Sequence, residues 1–469
     1  MAETISPDYL VIGAGAVGMA FVDTLVSDTE ATAVIVDSYS RPGGHWTIAY
    51  PHVTLHQPSS AYGVNSRELG EGKIDKVGLN KGYAELATGD EIVAYFYRVM
   101  HDTFLPSGRV SYYPKHNYIG EGQFQSIITG KVIHVGSRTR IVDCTYAKVK
   151  VPAMSPPAYK VSDKVRLITP NALATLKRPH GGYTLVGAGK TALDAGLCLL
   201  GYGIDPNDIT WIVPRDSWFL ERGSVQDQEN TPDLDKLMKE RADAIVGAKT
   251  SDEMFLLMEA YGHVLRIDKD IKPTMFKFAT VTKAEIEELK KIKNIVRQGR
   301  IISIDPDKVA LEQGTYTPVP ESLYIDCSAS AISNCPAVPV WNGRHITPQL
   351  LRIGQPTLSA ALIAYLDNNY DDEEFRNSLC EPVPACSKPK DYCAVFLVTL
   401  RNQLKWMALP DVDAWCAKSR LYYPFFDPPP PQDSQKAAAW YATHLENLKA
   451  VCNKFEELLS KDTAIAHNG

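Results

Sequence analysis

Gly13, Gly15 and Gly18 stand in the run Tyr9-Leu-Val-Ile-Gly13-Ala14-Gly15-Ala16-Val17-Gly18. Gly187 and Gly189 stand in Tyr183-Thr-Leu-Val-Gly187-Ala-Gly189-Lys190-Thr191-Ala192. Glycines at this spacing suit one kind of chemistry, the holding of a pyrophosphate by backbone. The first of each group permits a tight turn out of a strand. The second lets the backbone approach an anion with no Cβ between them. The third position, Gly18 or Ala192, lets the helix pack close to the strand. The free N–H groups of that helix and its macrodipole then favour negative charge. Two such turns in one chain predict two nucleotides face to face, and electron transfer between them.

The residues beyond each turn make the two sites unequal. Val34-Ile-Val-Asp37 reads as a second strand ending in an acid, about 20 residues past the glycines, where a carboxylate meets a ribose diol. The matching strand of the second unit, Ile209-Thr-Trp-Ile-Val213, runs into Pro214-Arg215. An arginine there accepts a 2′-phosphate with charge-assisted geometry. Lys190 adds positive charge beside the phosphates. The first site therefore reads as the adenosine half of FAD, and the second as NADPH in preference to NADH. A plain solvated cation is the alternative reading of Arg215.

After Asp37 come Ser38-Tyr-Ser-Arg-Pro-Gly43-Gly44-His45-Trp46 and Tyr50-Pro-His-Val-Thr-Leu-His56-Gln57-Pro-Ser-Ser-Ala-Tyr62. With the two glycine turns, this chain resembles the two-dinucleotide-binding flavoproteins, and among them the flavin-containing and Baeyer–Villiger (class B) monooxygenases. The resemblance spans both nucleotide domains. It implies that Gly44, His45, Trp46, His56 and Gln57 lie against the flavin or its ribityl-phosphate arm, with Ser38 beside Asp37 and Val110 near the adenine. Taken alone, Gly43-Gly44 permits close backbone approach, whereas Trp46 serves equally as a core aromatic. The chain departs from the family in four places, one of them His56, which stands where the family places an Asn or Asp near the flavin. The linker fingerprint FxGxxxHSxxY/W is missing, since Tyr159 to Pro170 contains neither Gly nor His. The Ala-Thr-Gly turns become Asp143-Cys-Thr145 and Asp326-Cys-Ser-Ala329, with Ala329 as a cofactor contact. Gln349 to Ser359 replaces the family's Gly-Asp as the third flavin contact, with Gln349 leading. The departures leave FAD and NADPH binding intact and bear on oxygen insertion.

The resemblance implies an FAD-dependent, NADPH-using oxidoreductase of monooxygenase type. Its substrate would be a small organic molecule or secondary metabolite, with O2 as candidate co-substrate and a C4a-(hydro)peroxyflavin as oxidant. One alternative is an NADPH-dependent flavin reductase, oxidase or dehydrogenase without oxygen insertion, which the missing fingerprint favours. Another is a flavin-bound redox sensor without turnover. His56 is the candidate catalytic group, a proton donor or hydrogen-bond partner at the flavin edge, because histidine titrates near neutrality. A purely structural role in fixing its loop is the competing reading.

These residues need an α/β scaffold of two Rossmann-like domains. The FAD domain is expected to be discontinuous, at 1–160 and 321–469. The NADP(H) domain is expected at 161–320, with a helical insertion at about 221–300. Helical periods run over Asp233 to Met258 and Lys283 to Ile295. Met275 and Phe276 between them are expected to wall a substrate cavity together with the helical C-terminal region. Val151 to Pro157 reads as a linker, and Pro428 to Pro431 as a break before a last helix.

Composition narrows the class. A chain of 469 residues is too long for one ordinary core. Its net charge of −6 gives no electrostatic case for nucleic acid or an anionic membrane. No run of about 18 apolar residues predicts a membrane span. The apolar N-terminal stretch reads as a βα unit in place of a signal peptide, which predicts a cytoplasmic protein. The nine cysteines form no CxxC. They are expected to be reduced thiols, without a redox disulfide or a metal site.

Overall fold

The computed structural model describes residues 3–148, 151–226, 234–329, 335–423 and 434–467. The first glycine turn joins β1 (Tyr9–Ile12) to α1 (Ala16–Asp28). Then come β2 (Ala33–Asp37), α2 (Gly89–Arg98), β3 (Val110–Pro114) and β4 (Arg140–Asp143). All four residues of β1 are buried, because the sheet is covered on both faces. Tyr9 and Val11 face Phe21, Val22 and Leu25 of α1 and Leu362 and Ile363 near the C-terminus. Leu10 and Ile12 face Phe124, Ile133 and Val135 of a separate four-stranded mixed sheet. This alternation is the period of two that a strand imposes. Parallel pairing gives the sheet order His345–Ile346, β4, β1, β2, β3, and Trp341–Asn342 adds an antiparallel edge beside His345–Ile346.

A second unit repeats this plan. Its elements are β5 (Arg166–Ile168), β6 (Gly182–Val186), α3 (Lys190–Gly201) and β7 (Ile209–Ile212). They continue with β8 (Ser217–Glu221), α4 (Leu234–Gly247), α5 (Ser251–Tyr261), β9 (Met275–Val281), α6 (Lys283–Leu289), β10 (Asn294–Val296) and β11 (Ser322–Asp326). The parallel order β5, β11, β6, β7, β10 matches the five parallel strands of the first sheet in position, without the antiparallel edge. Here too Leu185 faces helices, while Val186 faces a meander carrying Ile304, Val309 and Leu311. The chain is thus a two-lobed α/β protein with tandem Rossmann-like units.

Three boundaries differ from the sequence reading. β11 pairs with β5 and β6, so the second unit runs past the expected limit at 320. The helix expected over Lys283 to Ile295 stops at Leu289, and Ile295 lies on β10, paired with Trp211. Its β-branched Ile-Val pair suits a parallel strand better than a last helical turn. The 221–300 insertion is mixed, not helical: β8 pairs with β9 and with Val264–Leu265. Within it, Thr250 accepts from the Glu253 N–H and splits the expected Asp233–Met258 helix into α4 and α5. Asp233 itself lies outside the described residues, as does the Pro428 to Pro431 run.

The C-terminal region is helical: α7 (Pro356–Asn369), α8 (Glu373–Leu379), α9 (Asp391–Met407), α10 (Pro410–Lys418) and α11 (Ser434–His467). α7 lies on α1 in the first core. α9 and α11 instead join the insertion in a core of Phe255, Phe276, Tyr392, Phe396 and Phe455. Phe276 is fully buried there, 5.0 Å from Phe255 and 5.8 Å from Tyr392 by ring centroids. It joins insertion to C-terminal helix and does not wall an open cavity.

Candidate functional site

Both glycine turns have the geometry their sequence implies. Gly13 and Gly187 sit at φ +99° and +116°, a region closed to residues with a Cβ. A Cβ on Gly18 would lie 2.0 Å from the Gly13 carbonyl oxygen, so helix and turn touch there. α1 and α3 both begin without a side-chain cap or an acid in the first turn. Their leading N–H groups, including those of Ala16, Val17 and Thr191, are left for an anion. Nothing lies within 4 Å of the Cβ position at Gly189, which leaves room above the second turn.

Asp37 ends β2 buried. Its Oδ2 accepts from the Ala14 N–H at 2.6 Å and its Oδ1 from the Tyr39 N–H at 2.7 Å. The carboxylate thus braces the glycine turn and keeps lone pairs for further donors. Burial raises its pKa, partly offset by these two bonds. Strand register places Val213, not Arg215, opposite Asp37, since Ile12 pairs with Val36 and Val186 with Ile212. Arg215 stands two residues further on, exposed, with no hydrogen bond or ion pair among the described residues. Val110 pairs with Ala33 at the amino end of its strand, whereas Pro114 pairs with Asp37. Nucleotides bind at the carboxyl ends of parallel strands, so Val110 is a core residue remote from any adenine. Ser38 is exposed beside Asp37.

The segment after Asp37 folds back over the first turn. The Gly43 N–H donates to the Ala14 carbonyl at 2.8 Å, and a Cβ on Gly44 would lie 2.9 Å from the Gly15 Cα. Trp46 Nε1 donates to the Tyr62 hydroxyl at 2.8 Å, and Tyr62 packs edge-on against Phe96. Trp46 is therefore a brace, with His45 at 5.0 Å from its ring. Gln57 Nε2 donates to the Ala61 carbonyl at 3.0 Å and holds its own loop. Gln349 is tied to the Val338 backbone through both ends of its amide. Ala329 is exposed past the end of β11, on the second sheet.

The same segment then reaches the second unit. Tyr50 donates to Asp194 Oδ2 at 2.7 Å, and Asp194 also pairs with Lys190 one helical turn earlier. The Lys190 side chain is 9 % exposed and that of Asp194 10 %. Burial pushes the Asp194 carboxyl up, but the Lys190 charge and the two hydrogen bonds bring it below the usual range. The charge expected from Lys190 at a phosphate is thus balanced by Asp194. Asn171 Nδ2 donates to the carbonyls of Ile48 and Ala49 at 3.0 and 3.1 Å, a second tie between units.

His56 retains solvent-accessible surface yet lies deep among protein atoms near Lys190, Asp194 and Arg222. Burial and the two cations lower its pKa to about 4, against the opposing pull of Asp194. The lowered pKa favours the neutral imidazole, a hydrogen-bonding group, over the protonated form. Tyr50, Asp194 and Asn171 were missed in the sequence as site residues. Only Asp194 had a local signal, at one turn from Lys190.

The fold and site define a class: α/β proteins with two dinucleotide-type turns bridged by one loop. The chain is 42 % identical over 424 residues to the uncharacterized protein Rv2000 of Mycobacterium tuberculosis, a match covering 90 % of this chain and 78 % of that one. The uncharacterized protein Mb2023 of Mycobacterium bovis matches with the same identity and coverage. The chain belongs to the family of these mycobacterial proteins. No family model matches it. Among solved structures, the open crystal structure of cyclohexanone monooxygenase is 14 % identical with a TM-score of 0.47, covering 100 % of this chain and 99 % of that chain. OTEMO in complex with FAD and NADP is 13 % identical with a TM-score of 0.47, over 80 % and 88 %. A flavin-containing monooxygenase from Stenotrophomonas maltophilia is 13 % identical with a TM-score of 0.39, over 70 % and 78 %. At these values the likeness is a loose one of fold, and the strand order above stands on its own.

Proposed function

We propose that the protein is an FAD-dependent, NADPH-using oxidoreductase of monooxygenase type. One observation carries the reading. The loop from Gly43 to Tyr62 touches the first glycine turn and the helix that leaves the second, with Gly44 against Gly15 and Tyr50 against Asp194 of α3. Two anion-receptive helix starts that share one bridging loop suit two nucleotides that meet. FAD, when bound, supplies two-electron chemistry between NADPH and an acceptor. The residues present fit it: Gly13, Gly15 and Gly18 with the first turn of α1 would hold its pyrophosphate, and Asp37 its ribose. Gly187, Gly189 and Thr191 would hold the NADPH pyrophosphate, and Arg215 its 2′-phosphate. His45 and the neutral His56 would offer hydrogen bonds at the flavin edge. The substrate would be a small organic molecule, with O2 as co-substrate.

A reductase or oxidase without oxygen insertion is favoured by the segment Tyr159 to Pro170. It forms edge strands and contains no histidine. One experiment separates the readings. The purified protein should be yellow, and NADPH without air should bleach it. Readmitted 18O2 should place label in an organic product. Label found only in hydrogen peroxide and water would establish the reductase or oxidase reading. Absence of bleaching with intact FAD would leave the sensor. Arg215→Ala should weaken NADPH by roughly 1.5–3 kcal/mol for a lost charge-assisted contact and leave NADH unchanged.

A further inference from the structure

The Tyr50 hydroxyl, the Asp194 carboxylate and the Lys190 ammonium form a buried chain across the boundary between the two units. Tyr50 is 8 % exposed. Its own segment is fixed to the first turn through Gly43 and Gly44, seven and six residues upstream. Asp194 is fixed to the second turn because α3 starts at Lys190, directly after Gly189. The Tyr50 hydroxyl therefore ties the loop over the first turn to the helix that leaves the second, beside the two bonds that Asn171 donates to Ile48 and Ala49. A buried carboxylate with one cation and one hydroxyl donor is strongly directional, since both oxygens are committed. Lys190 neutralises the carboxylate and so allows it to stay buried. His56 packs near the same carboxylate and cation.

We propose that Asp194 and Tyr50 are positioning residues that set the register of the second nucleotide site against the first. The proposal rests on the FAD and NADPH reading only for its functional consequence, and its structural half stands without cofactor. Rotation of α3 about its axis, or sliding of the loop, would break the bond before it disturbed either sheet. Loss of the bond should leave each site able to bind and misplace one relative to the other.

Tyr50→Phe deletes one hydroxyl and keeps the ring, and Asp194→Asn keeps the shape of the carboxylate. The first readout is hydrogen exchange of the cofactor-free protein. Tyr50→Phe should speed amide exchange at least threefold in both 44–57 and 190–201 and leave β1 and β6 unchanged. Faster exchange in only one of the two segments, or in neither, would overturn the inter-unit tie. The second readout is anaerobic reduction by NADPH. Both variants should retain FAD content, and Tyr50→Phe, which leaves the Lys190–Asp194 pair intact, should also retain NADPH affinity within threefold of the parent, while the rate at saturating NADPH falls tenfold or more in both. An unchanged limiting rate, or a loss confined to affinity, would overturn the positioning role. A parent protein that NADPH does not reduce would instead overturn the coenzyme reading and leave the exchange result to judge the tie. Should Asp194→Asn fail to fold, Tyr50→Phe alone decides both readouts.

Discussion

His45 and His56 show how placement can remove an expected chemistry. Both are driven to a pKa of about 4, His45 by burial and His56 by burial reinforced by Lys190 and Arg222, against an ordinary value of 6.5. Between those values the unfolded chain binds protons that the folded chain refuses. Stability from these groups is therefore complete above about pH 6.5 and is lost as the pH falls toward 4. Melting temperatures from pH 7.5 to 5 should fall more steeply for the parent than for His45→Gln or His56→Gln. Parallel curves would show that neither imidazole is held neutral by the fold. The identity of these residues was legible in the sequence, but their protonation was not. The depressing charges on His56 come from residues 190 and 222, far along the chain, and a local reading supplies only the unperturbed imidazole. The same non-locality hid the Tyr50 to Asp194 bond.

At the scale of the element, the glycine turns were the most legible part of the chain. Their requirements are local: a positive φ at Gly13 and Gly187, and close helix–turn contact at Gly18. The third positions and the middle ones should nevertheless respond differently to one added methyl group. Gly18→Ala drives a Cβ to 2.0 Å from the Gly13 carbonyl, where only backbone can yield. It should cost about 1–3 kcal/mol in denaturant unfolding, and FAD with it. Gly189→Ala meets nothing within 4 Å. It should leave stability within about 0.5 kcal/mol of the parent, as exposed substitutions do, and weaken NADPH binding, because the methyl group fills the space above the turn. Equal destabilisation by both would mean that the second turn has no open face. Strand and helix limits were less legible where pairing decides them. Asn294-Ile-Val296 becomes a strand because β7 offers an edge, and β11 belongs to the second sheet because it fits between β5 and β6. Neither partner is visible in the segment itself.

The two units are also joined away from the Tyr50 and Asn171 bonds, far from the glycine turns in sequence, and the strength of that contact can be measured on the whole molecule. A loop from Lys73 to Ala84 of the first unit sets its tip on the insertion of the second. Asn80 Oδ1 accepts from Arg222 Nη1 at 2.7 Å, the Leu79 carbonyl accepts from Thr282 Oγ1 at 3.0 Å, and Tyr83 donates to Glu221 at 2.9 Å. Arg222 is 1 % exposed and pairs with Glu285 at 3.2 Å. The guanidinium therefore serves an ion pair within its own unit and a hydrogen bond to the other. Arg222→Ala removes both and strands Glu285 without its cation, which should cost about 3–5 kcal/mol. Asn80→Ala removes the bond across the boundary, worth about 1.5–3 kcal/mol as a hydrogen bond to a charged group, together with the two bonds its Nδ2 donates within the loop, to Asp75 Oδ2 at 2.6 Å and to the Ala84 carbonyl at 3.0 Å. The double variant should be less destabilised than the two single losses combined, by about 0.5–3 kcal/mol, because the shared bond is counted in each. Strict additivity in urea unfolding would mean that Asn80 and Arg222 do not couple, and that the loop rests on the insertion through Leu79 and Tyr83 alone.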